Sequence, residues 1–463
     1  MKTEHRIARF VTEAAYGDLG PDVLAMVHNQ LLGVLGATIA AASGQGCETV
    51  VDMVRELGGK PEASIFVHGD RVPAHQAAFV NAVMARALDF EDSIAPGAHV
   101  GAAIIPAAFA AAEMVGQEDG AVGRVVTGAD FLAAIAVGTE LAVRMNLGEL
   151  EYDGFDPTSV CVSFGSTAAA GKIVGLTEEQ MWNALALAFC RCGGSLQANV
   201  DGALAVRMIQ GWTAETGVTC ARLAKKGITG PRNYLEGVYG YFHLFGRDRV
   251  GPADLLAGLG SEYRLDALIF KKYPNCVGTQ AATDLILAII AEANLEARDI
   301  DRVKIHIGPY LYRLVGHPFQ LGVNPRVSAQ FNVRFCVANA LLHGSSALAH
   351  FEPEAVGDPE VLKLVERVEV IPDAALDRRG HTAADLWVTT KDGREYFKQT
   401  DAAPGMPGRP LSRDEHLRRF WECIEYGANP LANTETGTQI THALDHLHDM
   451  EDVRSLTRLL LPE

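Results

Sequence analysis

Apolar residues recur at intervals of three and four along most of the first 265 positions, and the interval switches to two only after residue 300. The first spacing belongs to a helix with one buried face, the second to a half-buried strand. The helical part is dense in Ala, Leu, Val and Gly, small side chains that let helix axes approach closely. Thr177 and Gln180 form a capping box ahead of MWNALALAF, and Phe131 to Met145 repeats the helical spacing. Over 302–307 (RVKIHI), Val303, Ile305 and Ile307 alternate with polar residues. A weaker alternation covers 367–371, and the runs 384–390 and 394–399 flank an Asp392-Gly393 turn of hairpin type. Beyond the Pro/Gly loop 401–410, Ser412 and Glu415 make a second capping box before HLRRFWECI. The pattern predicts a mainly α protein. A large all-helical domain is formed by both chain ends, 1–265 and 401–463, with a smaller α+β lid domain carrying an antiparallel sheet over 266–400. A small domain set late into a helical one leaves a cleft at the boundary, where small molecules bind.

The stretch LDFEDSIAPGAHVGAAIIPAAFAAAE, residues 88–113, concentrates the candidate chemistry. Helical spacing of Phe79, Val83, Ala87 and Phe90 predicts a helix over 77–92, ended by Pro96 and Gly97. Asp89 and Ser93, four apart, then project together from its last turn. His99 follows in a short loop before a second helix that tolerates Pro106 in its first turn and whose N-terminus favours anions. Asp89 beside Glu91 and Asp92 also reads as the solvated end of a surface helix, and a loop histidine as an ordinary hydrogen-bonding residue. Together, an acid, a hydroxyl and an imidazole around a loop of small residues are the mixture that general acid–base chemistry needs. In that reading His99 transfers the proton and Asp89 sets its orientation and charge.

Composition narrows the field. The 463 residues are 48% hydrophobic, enough for a packed core, and the net charge of −17 with no basic run argues against a nucleic-acid partner. The charged first twenty residues do not resemble a signal peptide, so a cytoplasmic protein is expected. Residues 27–47 lack charge over membrane length but contain His28, Asn29, Gln30 and four glycines, which fits a buried helix better than a membrane span. The eight cysteines follow no disulfide or zinc spacing and read as reduced thiols. The Cys190/Cys192 pair lacks a matching downstream pair, and His442, His446 and His448 read as a solvated helix face, so no metal is expected.

Five segments in order resemble the MmgE/PrpD family: NAVMARALDFEDSIAPGAHVG, the 201–237 segment, FKKYPNCVGTQAATD, SAQFNVRFCVANALLHG and GMPGRPLSRDEHLRRF. The resemblance implies a helical domain plus lid, a homodimer, no metal or organic cofactor, and proton abstraction next to a carboxylate. It implies active-site roles for Asp89, Ser93, His99 and Lys271. Four positions depart from the family's patterns: Asp156 and Cys276 each replace a histidine, Val206 (followed by Arg207) a lysine, and Phe335 a tyrosine. Arg207, Lys271, Lys272 and His99 remain to face a substrate, a set better suited to two carboxylates than three because an unpaired buried carboxylate is costly. Lys271 and Arg207 are expected to bind them.

The expected activity is a cofactor-independent lyase of the dehydratase or decarboxylase type, acting on a small di- or tricarboxylate. The alternatives are an epimerase of a dicarboxylate such as iminodisuccinate, in which the proton returns to the opposite face, and an inactive helical binding or scaffold protein.

Overall fold

The computed structural model describes residues 2–116, 123–147 and 154–462. Helices dominate it. Pro21–Ala41 begins with proline at its first position, where a missing N–H costs nothing, and packs between Ala74–Arg86 and Arg413–Tyr426. It is long and apolar enough to cross a bilayer, yet most of it is buried against these neighbours. Both capping boxes form: Thr177 with Gln180 starts the helix Glu178–Phe189, and Ser412 with Glu415 starts Arg413–Tyr426. Close helix approach is explicit where Gly128–Met145 meets Ser163–Val174. A Cβ on Gly138 would lie 2.7 Å from the Gly165 carbonyl oxygen, and one on Gly165 2.6 Å from that of Gly138, so larger residues would force the helices apart.

The late strands form one four-stranded sheet, in the spatial order Val368–Pro372, Ile300–Ile307, Ala384–Thr390, Glu395–Thr400. The expected antiparallel sheet is mixed instead. Val303 lies opposite Val368 in a parallel pair, made possible by the helices that separate the two strands in sequence. Two short antiparallel strand pairs also form, Ala63–Ser64 with Arg71–Val72 and Asp92–Ser93 with Ile269–Phe270.

Buried apolar side chains gather into two clusters. One runs from Ile7 to Phe270 and takes in Leu348 and the tail from Leu411 to Leu460; the other holds Val206, Ile269 and residues from Cys276 to Met406. The Asp92–Ser93 pair with Ile269–Phe270 lies where the two meet, Ile269 belonging to one cluster and Phe270 to the other.

Candidate active site

The helix expected over 77–92 runs from Ala74 to Arg86 and stops there. Asp89 then takes a left-handed backbone conformation (φ 53°), uncommon for a residue with a side chain but more accessible to Asp than to most. The reversal turns 89–93 into the protein. Asp89 and Glu91 are 1% and 0% exposed, so neither is the solvated helix end, and Ser93 sits in a strand rather than on Asp89's helical face. Three contacts hold the segment: Gln330 Nε2 donates to the Leu88 carbonyl (2.6 Å), Arg419 to that of Phe90 (2.5 Å), and Asp92 pairs across the strand with Phe270. That pairing delivers the next residue, Lys271, to Asp89, where Nζ lies 2.7 Å from Oδ1 and donates to the backbone carbonyl at 2.9 Å.

His99 is fixed from the other side. Its backbone N–H donates to Thr158 Oγ1 (3.0 Å), at the first residue of a π-helical turn, and its carbonyl accepts from Gln210 Nε2 (3.0 Å). The imidazole meets Glu91, with Nδ1 2.7 Å from Oε1; Asp89, the expected partner, is engaged by Arg86 and Lys271 instead. Glu91 also lies 3.5 Å from Arg86 Nε. Glu91 and Arg86 carry no signal in the sequence beyond adjacency to Asp89. A helix continued through 92 would point Glu91 elsewhere.

Pro106 falls in the second turn of Gly101–Val115, not the first. The N-terminus of that helix is already occupied by an anion, because the Gly101 N–H donates to Asp92 Oδ2 (3.0 Å). Gly101 permits this approach: a Cβ there would sit 2.2 Å from Asp92 Oδ1. Burial pushes the Asp92 carboxyl up to about 6, against the bonds from Gln30 and Gly101. Burial pushes His99 down to about 4, and Arg86 and Lys271 add to that fall more than Glu91 opposes it. The imidazole is therefore neutral at pH 7, well below the near-neutral value expected from a dipole and a carboxylate alone. For Glu91, burial is outweighed by Arg86, Lys271 and His99, which hold its carboxyl well below the usual range.

Asp89, His99 and Lys271 line a cavity of about 30 Å³, room for one or two waters. Its other walls come from Val277, Leu311, Phe331, Leu196 and the ring of Tyr310, whose hydroxyl donates to the Pro96 carbonyl (3.3 Å). A roomier hollow of about 550 Å³ lies beside Trp212, but only Arg191 among its described lining residues is ionisable. The smaller cavity is the one bordered by a carboxylate, an imidazole and an ammonium, those of Asp89, His99 and Lys271. Asp89, Glu91 and His99 also offer ligand atoms within 4.8 Å of one another. Arg86 and Lys271 already neutralise those carboxylates, so a divalent ion entering there would bring further positive charge against two buried cations.

Sequence profiles of the MmgE/PrpD N-terminal domain and C-terminal domain match residues 5–251 and 273–438. The chain belongs to the MmgE/PrpD family. Human cis-aconitate decarboxylase is 27% identical over 403 residues, covering 84% of this chain and 80% of the relative. A cis-aconitate decarboxylase-like protein of Aspergillus oryzae is 24% identical over 474 residues (99% and 97%), and 2-methylcitrate dehydratase of Cupriavidus necator 26% over 394 (79% and 78%).

Of the residues marked by the MmgE/PrpD pattern, Asp89, His99, Lys271 and Cys276 border the cavity. The others stand away from it. Ser93 is buried in its strand, its Oγ without a hydrogen-bond partner among the described residues. Asp156 lies behind Thr158, accepting its N–H at 2.7 Å, and burial raises its carboxyl. Arg207 donates to the Gln45 carbonyl, Lys272 is paired with Asp284 at 2.9 Å, and Phe335 packs between Phe319 and Phe351 in the second cluster. Arg207 and Lys272, expected to face the substrate, are not among the residues lining this cavity. Arg207 sits in the first turn of the helix Ala205–Lys225 and Lys272 just beyond the strand Ile269–Phe270, each engaged by the partner named. Leu196, Tyr310, Phe331 and His381 join the lining from segments far apart in sequence, with no motif to mark them.

Proposed function

We propose that the protein is a lyase that acts on a carboxylic acid, either as a dehydratase, removing a proton from the carbon next to the carboxylate as hydroxide leaves, or as a decarboxylase, protonating the carbon that carbon dioxide leaves. The observation that carries this reading is the 2.7 Å contact of His99 Nδ1 with Glu91, made beside the Lys271–Asp89 pair at one cavity wall. With Nδ1 turned to Glu91, a neutral imidazole presents its Nε2 lone pair as a base, and the carboxylate stabilises the imidazolium once the proton is taken. Lys271 supplies positive charge where the enolate forms, fixed in advance by its bonds to Asp89, so little reorganisation accompanies the reaction. His99 can then return the proton to a departing hydroxide as water. The relatives named for cis-aconitate and 2-methylcitrate support the reaction class. The test is incubation in D2O with cis-aconitate, 2-methylcitrate and simple 3-hydroxy acids, followed by NMR. Alkene formation or carbon dioxide release supports the lyase; deuterium in inverted substrate without a new alkene supports an epimerase.

A further inference from the structure

We infer that Arg207 and Arg326 form a binding site for a small oxyanion, outside the cavity and independent of the reaction carried out there. A buried guanidinium without an anionic partner is costly. Arg207 is 2% exposed, yet its hydrogen bond among the described residues goes to a neutral group, the Gln45 carbonyl, and no carboxylate pairs with it. Burial pushes it down to about 10, with Arg326 and Arg86 adding to the fall, and it stays charged at pH 7. Arg326 is 6% exposed and places Nη2 on Glu352 (2.7 Å) and on the Tyr426 hydroxyl (2.6 Å), but its buried Nη1 has no hydrogen-bond partner among the described residues. The Glu352 carboxylate, itself shared with Tyr426, is the one acid paired with either arginine among those residues. Asp89 also acts on Arg207 but is taken by Arg86 and Lys271. Two cations against one acid leave a positive charge unmatched.

The loop 42–46 gathers the two side chains. Gln45 joins them, its carbonyl accepting from Arg207 and its Nε2 donating to Asn324 (3.0 Å), two residues before Arg326. Cys47, buried next in the chain, feels the charge of both guanidiniums. Ser43 and Gln45 are exposed, so the arginines lie one residue below the surface, and an anion reaches Arg207 by taking the place of the Gln45 carbonyl. The planar forks match the paired oxygens of a phosphate or a carboxylate. Occupancy would be felt at the active site through the same two helices. Arg207 shares a helix face with Gln210, whose Nε2 holds the His99 carbonyl, and Arg326 shares one with Gln330, which holds that of Leu88. An anion that draws the two helices together therefore tightens the segment from Leu88 to His99 at both ends.

Calorimetric titration of the purified protein with inorganic phosphate, butanedioate and chloride tests the site without depending on turnover. Phosphate is expected to bind, and chloride, which has no second oxygen to offer a fork, to bind at least about tenfold more weakly. Arg207→Met and Arg326→Met should each weaken phosphate binding at least about tenfold, the loss of one charge-assisted contact. Arg207→Met removes a buried charge that has no acid partner, so it should fold. Hydrogen exchange of the wild type gives a reading that needs no variant: phosphate should protect 43–47, 205–210 and 88–99. Butanedioate binding in place of phosphate, with the same dependence on both arginines, supports the site and identifies a carboxylate as its anion. Failure of both oxyanions to bind, chloride binding as tightly as they do, or affinity unchanged in either variant overturns the site and leaves the lyase reading standing.

Discussion

Burying ionisable side chains against one another is costly unless each finds a partner, and Arg86, Asp89, Glu91, His99 and Lys271 meet that condition as a group. His99 is the member that stays uncharged, and this has a sign in the stability of the protein. Its folded value of about 4 lies below the ordinary 6.5, so the unfolded chain takes up a proton first as pH falls. Its contribution is complete above 6.5 and is lost between 6.5 and 4, by about 3 kcal/mol. Asp92, raised to about 6, acts oppositely over much of that window, since the folded state binds its proton first. The effect is therefore read as a difference: wild type should lose about 3 kcal/mol relative to His99→Gln between pH 7 and 4 in urea denaturation. A constant difference would show that His99 is not buried neutral. Glu91→Gln should lower kcat about 10- to 100-fold with KM little altered, because the carboxylate matters most when the imidazole is charged; equal steady-state constants would remove Glu91 from the site. Asp89, His99 and Lys271 were legible in the sequence through their motifs. Glu91 was not, because the positive φ at Asp89 redirects it and nothing in Leu-Asp-Phe announces that; Arg86, the last residue of its helix, carries no motif of its own.

At the scale of elements, periodicity revealed which segments are helices and strands but not where they stop or which way they pair. The helix ending at Arg86 was read through to 92 because Ala87 and Phe90 continue its spacing while turning inward for another reason, the packing of Arg419 over the Phe90 ring at 4.8 Å. Alternation in 300–307 and 368–372 is the same whether the strands run parallel or antiparallel, so the mixed sheet was not legible. Two-residue strands fall below any periodic signal, yet the pair of Asp92–Ser93 with Ile269–Phe270 is what brings Lys271 to Asp89. The seat of Asp92 on the helix start at Gly101 is equally tight. Gly101→Ala is expected to destabilise the protein by more than about 2 kcal/mol, as an overpacked contact with a buried carboxylate, and to lower activity through the 89–99 segment. Thermal and urea unfolding would measure it; a loss below about 0.5 kcal/mol would mean that the segment shifts freely.

For the whole molecule, the cavity of about 30 Å³ is narrow, walled on one side by Val277, Leu311 and Phe331 of the second apolar cluster and on the other by Asp89, Gly97 and His99. Hydrogen exchange should show Gly97–His99 and Val277–Leu314 protected when an acid of the panel is bound. Protection confined to the hollow beside Trp212 would put the binding site there instead. The claim on which the rest depends is that His99 moves a proton between carbon and solvent, and solvent isotope reads it directly. Wild-type protein in D2O should place deuterium on the carbon next to the carboxylate, or form the alkene, with at least one acid of the panel. His99→Gln, with unchanged affinity for the same acid, should do so about 10²- to 10⁴-fold more slowly. Exchange in His99→Gln at more than half the wild-type rate would contradict the account, as would the absence of any exchange or product in the wild type.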